Sequence, residues 1–328
     1  MNKKILSILK EAFFARTESS IFTPESGGFA TDIAYHPKTK TTAITREDGK
    51  ITLFSPEFST PLTVTISEDN DIHCSIFNFD GSLLALGLDC GKVVIYNSKN
   101  GEQTVFMLSS KDGYSSEITN LSFTFEDSLL ATTLKDGVFQ VNTKTGTTNQ
   151  IFSLPTNSTR FHCASPLSTN STMIAIATNE GIYIIDTTLE IPLQKHITQT
   201  VNNKTLDFRH VHYIDKNTVY CCGDGSDFGF FGTTNPKTGD FRFKTIPDSN
   251  YAHSFSLIPE TTCHAVLAFD EDHLALVSFS KSPSIIQTIT KDTTAIHVID
   301  QKTLVIGSQQ EDGHPIYQQL PLATLFLK

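Results

Sequence analysis

At 328 residues the chain has room for two ordinary domains or for one large all-β or α/β-barrel domain. Charged residues make up 18% and hydrophobic ones 38%, with 24 Phe and no Trp, so a disordered acidic segment is excluded and a sizeable core is expected. The formal charge is −10, and only five bases are Arg (Arg16, Arg46, Arg160, Arg209 and Arg242), which argues against a broad phosphate-tracking surface and hence against nucleic acid.

The amino end, Met1-Asn2-Lys3-Lys4, is basic like the start of a signal peptide. The apolar run Ile5 to Leu9 is broken by Lys10-Glu11 before it reaches the length that secretion requires. No later run approaches the roughly 18–20 apolar residues of a membrane helix, so no membrane span is expected. Ile5, Ile8, Leu9, Ala12 and Phe13 share one helical face, which predicts a short amphipathic helix in an extension over residues 1–17. Such a helix needs tertiary support, from the body of the domain or from a membrane surface or partner. Six Cys (Cys74, Cys90, Cys163, Cys221, Cys222 and Cys263) show no C-x-x-C spacing, which fits reduced thiols in the cytoplasm. The sequons at Asn157, Asn170 and Asn203 then carry no meaning.

Beyond residue 18 a tight turn followed by a β-rich run keeps returning. It occurs as Asp48-Gly49 before Lys50 to Phe54, Cys90-Gly91 before Lys92 to Tyr96, and Asp136-Gly137 before Val138 to Val141. Glu180-Gly181 precedes Ile182 to Ile185, Asp224-Gly225 precedes Phe228 to Phe231, Glu271-Asp272 precedes Leu274 to Val277, and Asp312-Gly313 precedes Ile316-Tyr317. From Gly49 through Gly91, Gly137, Gly181, Gly225 and Asp272 to Gly313 the intervals are 42, 46, 44, 44, 47 and 41 residues. A second β-rich run precedes each turn (Thr41 to Thr45, Leu83 to Leu88, Leu129 to Leu134, Met173 to Thr178, Thr218 to Cys222, His264 to Phe269, Thr303 to Ser308), with another before that. Seven units of about four strands at this period predict an all-β fold, a seven-bladed β-propeller of four-stranded antiparallel blades in one domain over residues 18–328. Ring closure needs one more outer strand, for which Ser20 to Thr23 and Ala323 to Leu327 compete; the amino-terminal segment is preferred.

The second unit, from Ile72 through Phe77, Asp80-Gly81, Ala85, Gly87 and Asp89 to Tyr96-Asn97, resembles a blade of the WD-repeat family, and the third is similar from Ile118 to Asn142. Where that family places Trp-Asp, this chain has Phe54-Ser55, Tyr96-Asn97, Val141-Asn142, Ile185-Asp186, Phe231-Gly232 and Tyr317-Gln318, and the Gly-His opening is absent. The Trp-centred polar network of that family must therefore give way to apolar packing. The resemblance implies protein or peptide partners at the top face, often within a larger complex.

Motifs of catalysis are missing: there is no G-x-S-x-G elbow, no H-E-x-x-H, no phosphate loop and no G-x-G-x-x-G after a strand. Gly223 to Gly229 and Asp270-Glu271-Asp272 read as hairpin turns, and Cys221-Cys222 as structural cysteines whose side chains take opposite faces of a strand. One pattern survives. Aligned on the opening strand, His73, His162, His253 and His297 match in four units, Thr119 takes the place in the third and Thr31 in the first, and the fifth offers Arg209, His210 and His212. A repeated position is first a packing position. Several imidazoles around one axis also suit a pH-sensitive binding surface, or, least favourably, a metal ring.

The expected function is a non-catalytic scaffold that binds a peptide or partner protein through a top-face ring of His73, Thr119, His162, Arg209, His212, His253 and His297. The loops Lys111 to Glu117 and Asn235 to Gly239 offer further contacts, and no cofactor or metal is assigned. The alternative is a propeller hydrolase or lactonase with a divalent ion at the channel mouth.

Overall fold

The computed structural model describes residues 20–22, 28–108, 116–125, 127–155, 158–168, 171–246, 249, 251–259, 261, 263–270, 273–279, 282–291, 293–301, 303–309 and 315–322. The helix expected in residues 1–17, the carboxyl-terminal candidate for closure and the acidic pair Glu271-Asp272 lie outside them.

The strands assemble into seven four-stranded antiparallel sheets, each read in chain order. Blade 1 holds Ala30–His36, Thr41–Arg46, Lys50–Phe54 and Leu62–Thr65. Blade 2 holds Ile72–Phe77, Leu83–Leu88, Lys92–Asn97 and Gln103–Met107. Blade 3 holds Ile118–Phe125, Ser128–Thr133, Gly137–Asn142 and Thr148–Phe152. Blade 4 holds Phe161–Pro166, Met173–Thr178, Gly181–Asp186 and Leu193–Ile197. Blade 5 holds Asp207–Asp215, Thr218–Asp224, Gly229–Thr234 and Phe241–Ile246. Blade 6 holds Ala252–Leu257, His264–Phe269, His273–Ser278 and Ser284–Thr290.

Blade 7 is composite. Ala295–Val298, Thr303–Gln309 and Pro315–Pro321 are joined by Ser20–Phe22 as the outer strand, with Ser20 opposite Gln319 and Phe22 opposite Tyr317. The amino-terminal segment thus closes the ring, and the first strands of successive blades pack on one another all the way round, blade 7 against blade 1 included. Among the described residues one element escapes the repeat: a two-stranded hairpin, Thr200–Val201 with Lys204–Thr205, inserted between blades 4 and 5.

The core sits between blades because the second and third strands bury both faces. In blade 3, Leu129 and Ala131 pack toward blade 2 with Cys74, Ala85 and Ile95, while Leu130 packs toward blade 4 with Phe161, Ile174 and Ile176. Each of the other junctions holds its own apolar cluster. This is why the second strands read as near-continuous apolar runs rather than as an alternation. Vicinal Cys221 and Cys222 follow suit, Cys221 in the cluster with blade 4 and Cys222 in the cluster with blade 6. Burial pushes the Cys163 thiol up to about 11 and raises the Cys221 and Cys222 thiols, which keeps them protonated packing groups.

The positions that carry Trp in the WD-repeat pattern are filled by buried Tyr96, Val141, Ile185, Phe231 and Tyr317, and Phe54 is partly buried at the blade 7–blade 1 seam. Apolar contact does replace a Trp-centred network there.

Candidate functional site at the channel mouth

The first strands begin at one end of the ring, and there a small irregularity recurs. In blades 1 to 6 the pairing of first and second strands slips by one residue, leaving Thr31, His73, Thr119, His162, Arg209 and His253 as the extra residue. In blade 7 the same register belongs to Thr294, whose N–H donates to Gly307 O at 2.8 Å. A bulge re-aims the side chain it carries and commonly sits where a site is built. Here it turns Thr31, His73, Thr119, His162 and Arg209 toward the channel mouth or the neighbouring blade.

The mouth opens into a cavity of about 900 Å³ to which every blade contributes. Four of the predicted ring residues line it: His73, Thr119, His162 and Arg209. His253 occupies the bulge register, but its side chain is outside the described residues. His212 and His297 do not line it. They share a register with each other, opposite Tyr220 and Val305, but stand three residues beyond the bulge, so the alignment of His297 with His73 is corrected: Thr294 is the true equivalent. Conserving the apolar spacing around His297 concealed the missing bulge in blade 7. His297 hydrogen-bonds the backbone at Ile33 and lies beside Tyr35, stitching blade 7 to blade 1, and burial depresses its pKa to about 4. His212 lies beside Phe255, and burial lowers its pKa too.

The bulge residues divide by chemistry. Threonines stitch blades: Thr31 Oγ1 donates to Ile72 O, and Thr119 Oγ1 donates to Phe161 O at 3.0 Å. Histidines meet carboxylates from the next blade: His73 Nδ1 is 2.6 Å from Glu117 Oε1, and His162 Nε2 is 3.1 Å from Asp207 Oδ1. Glu117 and Asp207 each stand two residues before the bulge of their own blade, so the same placement is used twice, facing Nδ1 of His73 and Nε2 of His162. In blade 5, Arg209 Nε donates to Asp224 Oδ2 at 2.7 Å and its terminal nitrogen is 3.2 Å from Asp207 Oδ2. The residue after the bulge also reaches across: Asp32 Oδ2 accepts from Ser75 N at 2.7 Å, and Asn120 Oδ1 accepts from Ala164 N at 3.3 Å.

These contacts set the ionisation. The hydrogen bond to Glu117 raises the His73 pKa against the opposing effect of burial, and Asp89 and Asp71 add to the rise. The same bond holds Glu117 below the usual carboxylate range. Burial lifts Asp32 despite the Ser75 hydrogen bonds, and lifts Asp224 despite Arg209.

Sequence reasoning missed the carboxylates. The available signal was an acid two residues before the bulge, as in Asp71, Glu117 and Asp207. It also missed Lys204 and Thr205, which the inserted hairpin brings to the mouth. Gly225 and Ser226 of the blade 5 turn line the mouth as well. Of the two loops expected to make contacts, residues 111–115 lie outside the described residues, and the turn from Asn235 to Gly239 is held by Lys195 Nζ, which donates to Lys237 O and Thr238 O at 2.8 Å. Among the described residues no group of three or more His, Cys, Asp or Glu side chains is arranged to hold a metal ion, and no helix is long and apolar enough to cross a membrane.

No family model matches the chain, and no curated protein matches its sequence. Solved structures do match in shape. The WD40 repeats of RRP9 align over 94% of this chain and 98% of that one with a TM-score of 0.74 at 12% identity. The WD40 β-propeller domain of Doa1 aligns over 92% and 97% with a TM-score of 0.71 at 15% identity. A chain of the mitotic checkpoint complex aligns over 92% and 93% with a TM-score of 0.73 at 15% identity. The fold is that of a WD40 β-propeller. It is a divergent, WD-repeat-like one: the seven-bladed ring and its closure persist while the Trp-Asp dipeptides have been replaced throughout.

Proposed function

We propose that this WD40-type propeller is a non-catalytic cytoplasmic scaffold that binds a peptide or partner protein at the channel mouth, as a subunit of a larger assembly. One observation carries the reading: ionisable side chains from blades 2 to 5, His73 with Glu117, His162 with Asp207, and Arg209 with Asp207 and Asp224, are concentrated in one cavity of about 900 Å³. That volume lies in the range of cavities that take a ligand, and loops on a rigid scaffold are where binding residues gather. Support of a coarser kind comes from the similar chain solved within the mitotic checkpoint complex. The negative charge of the chain favours a protein over a nucleic acid as partner.

The test is quantitative affinity capture with the wild-type chain and with a Glu117→Gln/Asp207→Asn double variant shown to fold. A stoichiometric partner that the wild type retains and the double variant loses agrees with the reading. Recovery of the same partner by both proteins overturns it.

A further inference from the structure

The end of the ring opposite the mouth carries an anomaly of composition. Six residues beyond the bulge register, where each first strand ends or gives way to its turn, the residue is exposed in every blade: Pro37, Phe79, Phe125, Ser168, Asp215, Pro259 and Asp300. Five of these are Pro, Ser or Asp, which turns prefer because they preset the backbone or bond it locally. Phe does neither, yet it holds the position in the two neighbouring blades 2 and 3. Phe79 is 41% exposed and Phe125 55%. Single exposed apolar residues are ordinary, whereas two at one position of adjacent blades make a patch. Phe79 also meets Phe123 edge-on across the seam, with ring centroids 6.4 Å apart, and Phe123 lies on the strand that ends in Phe125. His36 Nε2, 3.1 Å from Phe79 O, and Gly81 N, which donates to Asn78 O at 3.1 Å, hold the blade 2 turn so that Phe79 stays outward.

Where the chain enters the ring indicates what covers this patch. Ser20–Phe22 runs antiparallel to Pro315–Pro321 with Ser20 opposite Gln319, and Pro321 lies opposite Thr303, beside the turn between the first and second strands of blade 7. The closing strand therefore starts from the end of the ring that holds Phe79 and Phe125. Ahead of it, Ile5, Ile8, Leu9, Ala12 and Phe13 share one helical face, and a helix so short needs an apolar surface to form. Charge agrees. Residues 1–17 carry Lys3, Lys4, Lys10 and Arg16 against Glu11, while the aromatic turns read Phe79-Asp80 and Phe125-Glu126-Asp127. Asp127 is met by Lys144 at 2.6 Å, and Asp80 accepts from Ser82 N at 2.8 Å within its own turn. Residues 14–19 extended and 5–13 helical would span roughly 30 Å. A domain of this length has a radius of gyration of about 20 Å, so the segment can pass from the rim of blade 7 to the patch.

We infer that residues 1–17 fold back on the ring as a helix whose apolar face is seated on Phe79 and Phe125, covering the seam of blades 2 and 3. The seat lies at the other end of the ring from the proposed binding surface, leaves the mouth open, and does not depend on the mouth's role.

Because the chain has no Trp, Phe13→Trp gives the full protein a single fluorescent reporter. Its emission is expected to be blue-shifted, poorly quenched by acrylamide and independent of protein concentration. Adding Phe79→Ser and Phe125→Ser should move the emission to the red and raise quenching to the level of a synthetic peptide of residues 1–19 with the same Trp. Ile191→Ser, at a 77% exposed apolar residue of blade 4, should leave both readouts unchanged. A second arm uses no substitution: tryptic cleavage after Lys10 should be roughly fivefold slower in the wild-type chain than in the wild-type peptide, because a docked segment is cut only when it opens. A misfolded variant therefore does not blunt the test. Red, freely quenched emission from the full chain, blue emission that survives the double substitution, or loss with Ile191→Ser alone overturns the inference. So does blue emission that appears only at high protein concentration, as a second copy would give, or only with phosphatidylcholine–phosphatidylserine vesicles, and so does cleavage after Lys10 as fast as in the peptide.

Discussion

His73 and Glu117 hold opposite ends of one titration. His73 is raised above its ordinary value, so what the pair adds to stability is complete below about pH 6.5 and is lost as pH climbs through the raised value. Glu117 is lowered, so the contribution is present above about pH 4.5 and fades as pH falls through the carboxyl's folded value. The pair therefore acts between those limits. Both side chains are about a third exposed, at 31% and 35%, which limits its worth to about 0.2–1 kcal/mol after screening. Thermal unfolding of His73→Gln should show a larger deficit at pH 5.5 than at pH 8.5, and an equal deficit at both would contradict the pairing. His297 behaves in the reverse sense. With its pKa near 4 it is neutral in the fold and free to protonate once unfolded, so acidification favours unfolding by roughly 2 kcal/mol at pH 5. His297→Gln should flatten the loss of stability between pH 7 and pH 5; an unchanged slope would remove His297 as its source. At this scale the sequence was partly legible. The repetition of His73 and His162 was visible, but their carboxylate partners come from the next blade and sit 44 and 45 residues away, so no local pattern joins them.

Strands were the most legible elements. Leu83–Leu88, Met173–Thr178 and His264–Phe269 coincide with the apolar runs that predicted them, because a strand buried on both faces has no polar positions to blur its limits. First strands were harder to align, since the bulge adds a residue in six blades that blade 7 lacks within its paired strands. The inserted hairpin at residues 200–205 offers Val201 alone as an apolar residue, packed on the blade 4–blade 5 cluster, and a single residue makes no periodic signal. The turn glycines repeat for a reason that can be measured. Gly137 has φ of +108°, and a Cβ there would lie 2.1 Å from Phe152 O. Gly101 also has positive φ, at +76°, but a Cβ there meets nothing within 4 Å. Both substitutions to Ala incur backbone strain of roughly 1–2 kcal/mol, and only Gly137→Ala adds a clash with backbone. Chemical denaturation should therefore rank Gly137→Ala clearly below Gly101→Ala in stability; equal values would show that the blade 3 turn relaxes freely.

Seven sheets, none able to bury both faces alone, become one domain only when the ring closes. Among the described residues, closure rests on Ser20–Phe22 paired to Pro315–Pro321. A chain beginning after Phe22 should keep its blades but expose that edge, with hydrogen exchange rising first in blades 7 and 1 around Tyr317, Ala30 and Ile44; uniform protection would show that the short strand is dispensable. The fold was readable from the period, whereas closure was legible only as a preference for Ser20 to Thr23 over Ala323 to Leu327. The mouth was not fully readable, because it exists only where seven chain segments meet. The direct measurement of its role is hydrogen exchange of the full chain with and without its captured partner. Protection is expected to concentrate at residues 71–75, 117–121, 203–211 and 223–226. Protection confined to the opposite turns, residues 36–41 and 78–82, or to the outer strands would contradict it.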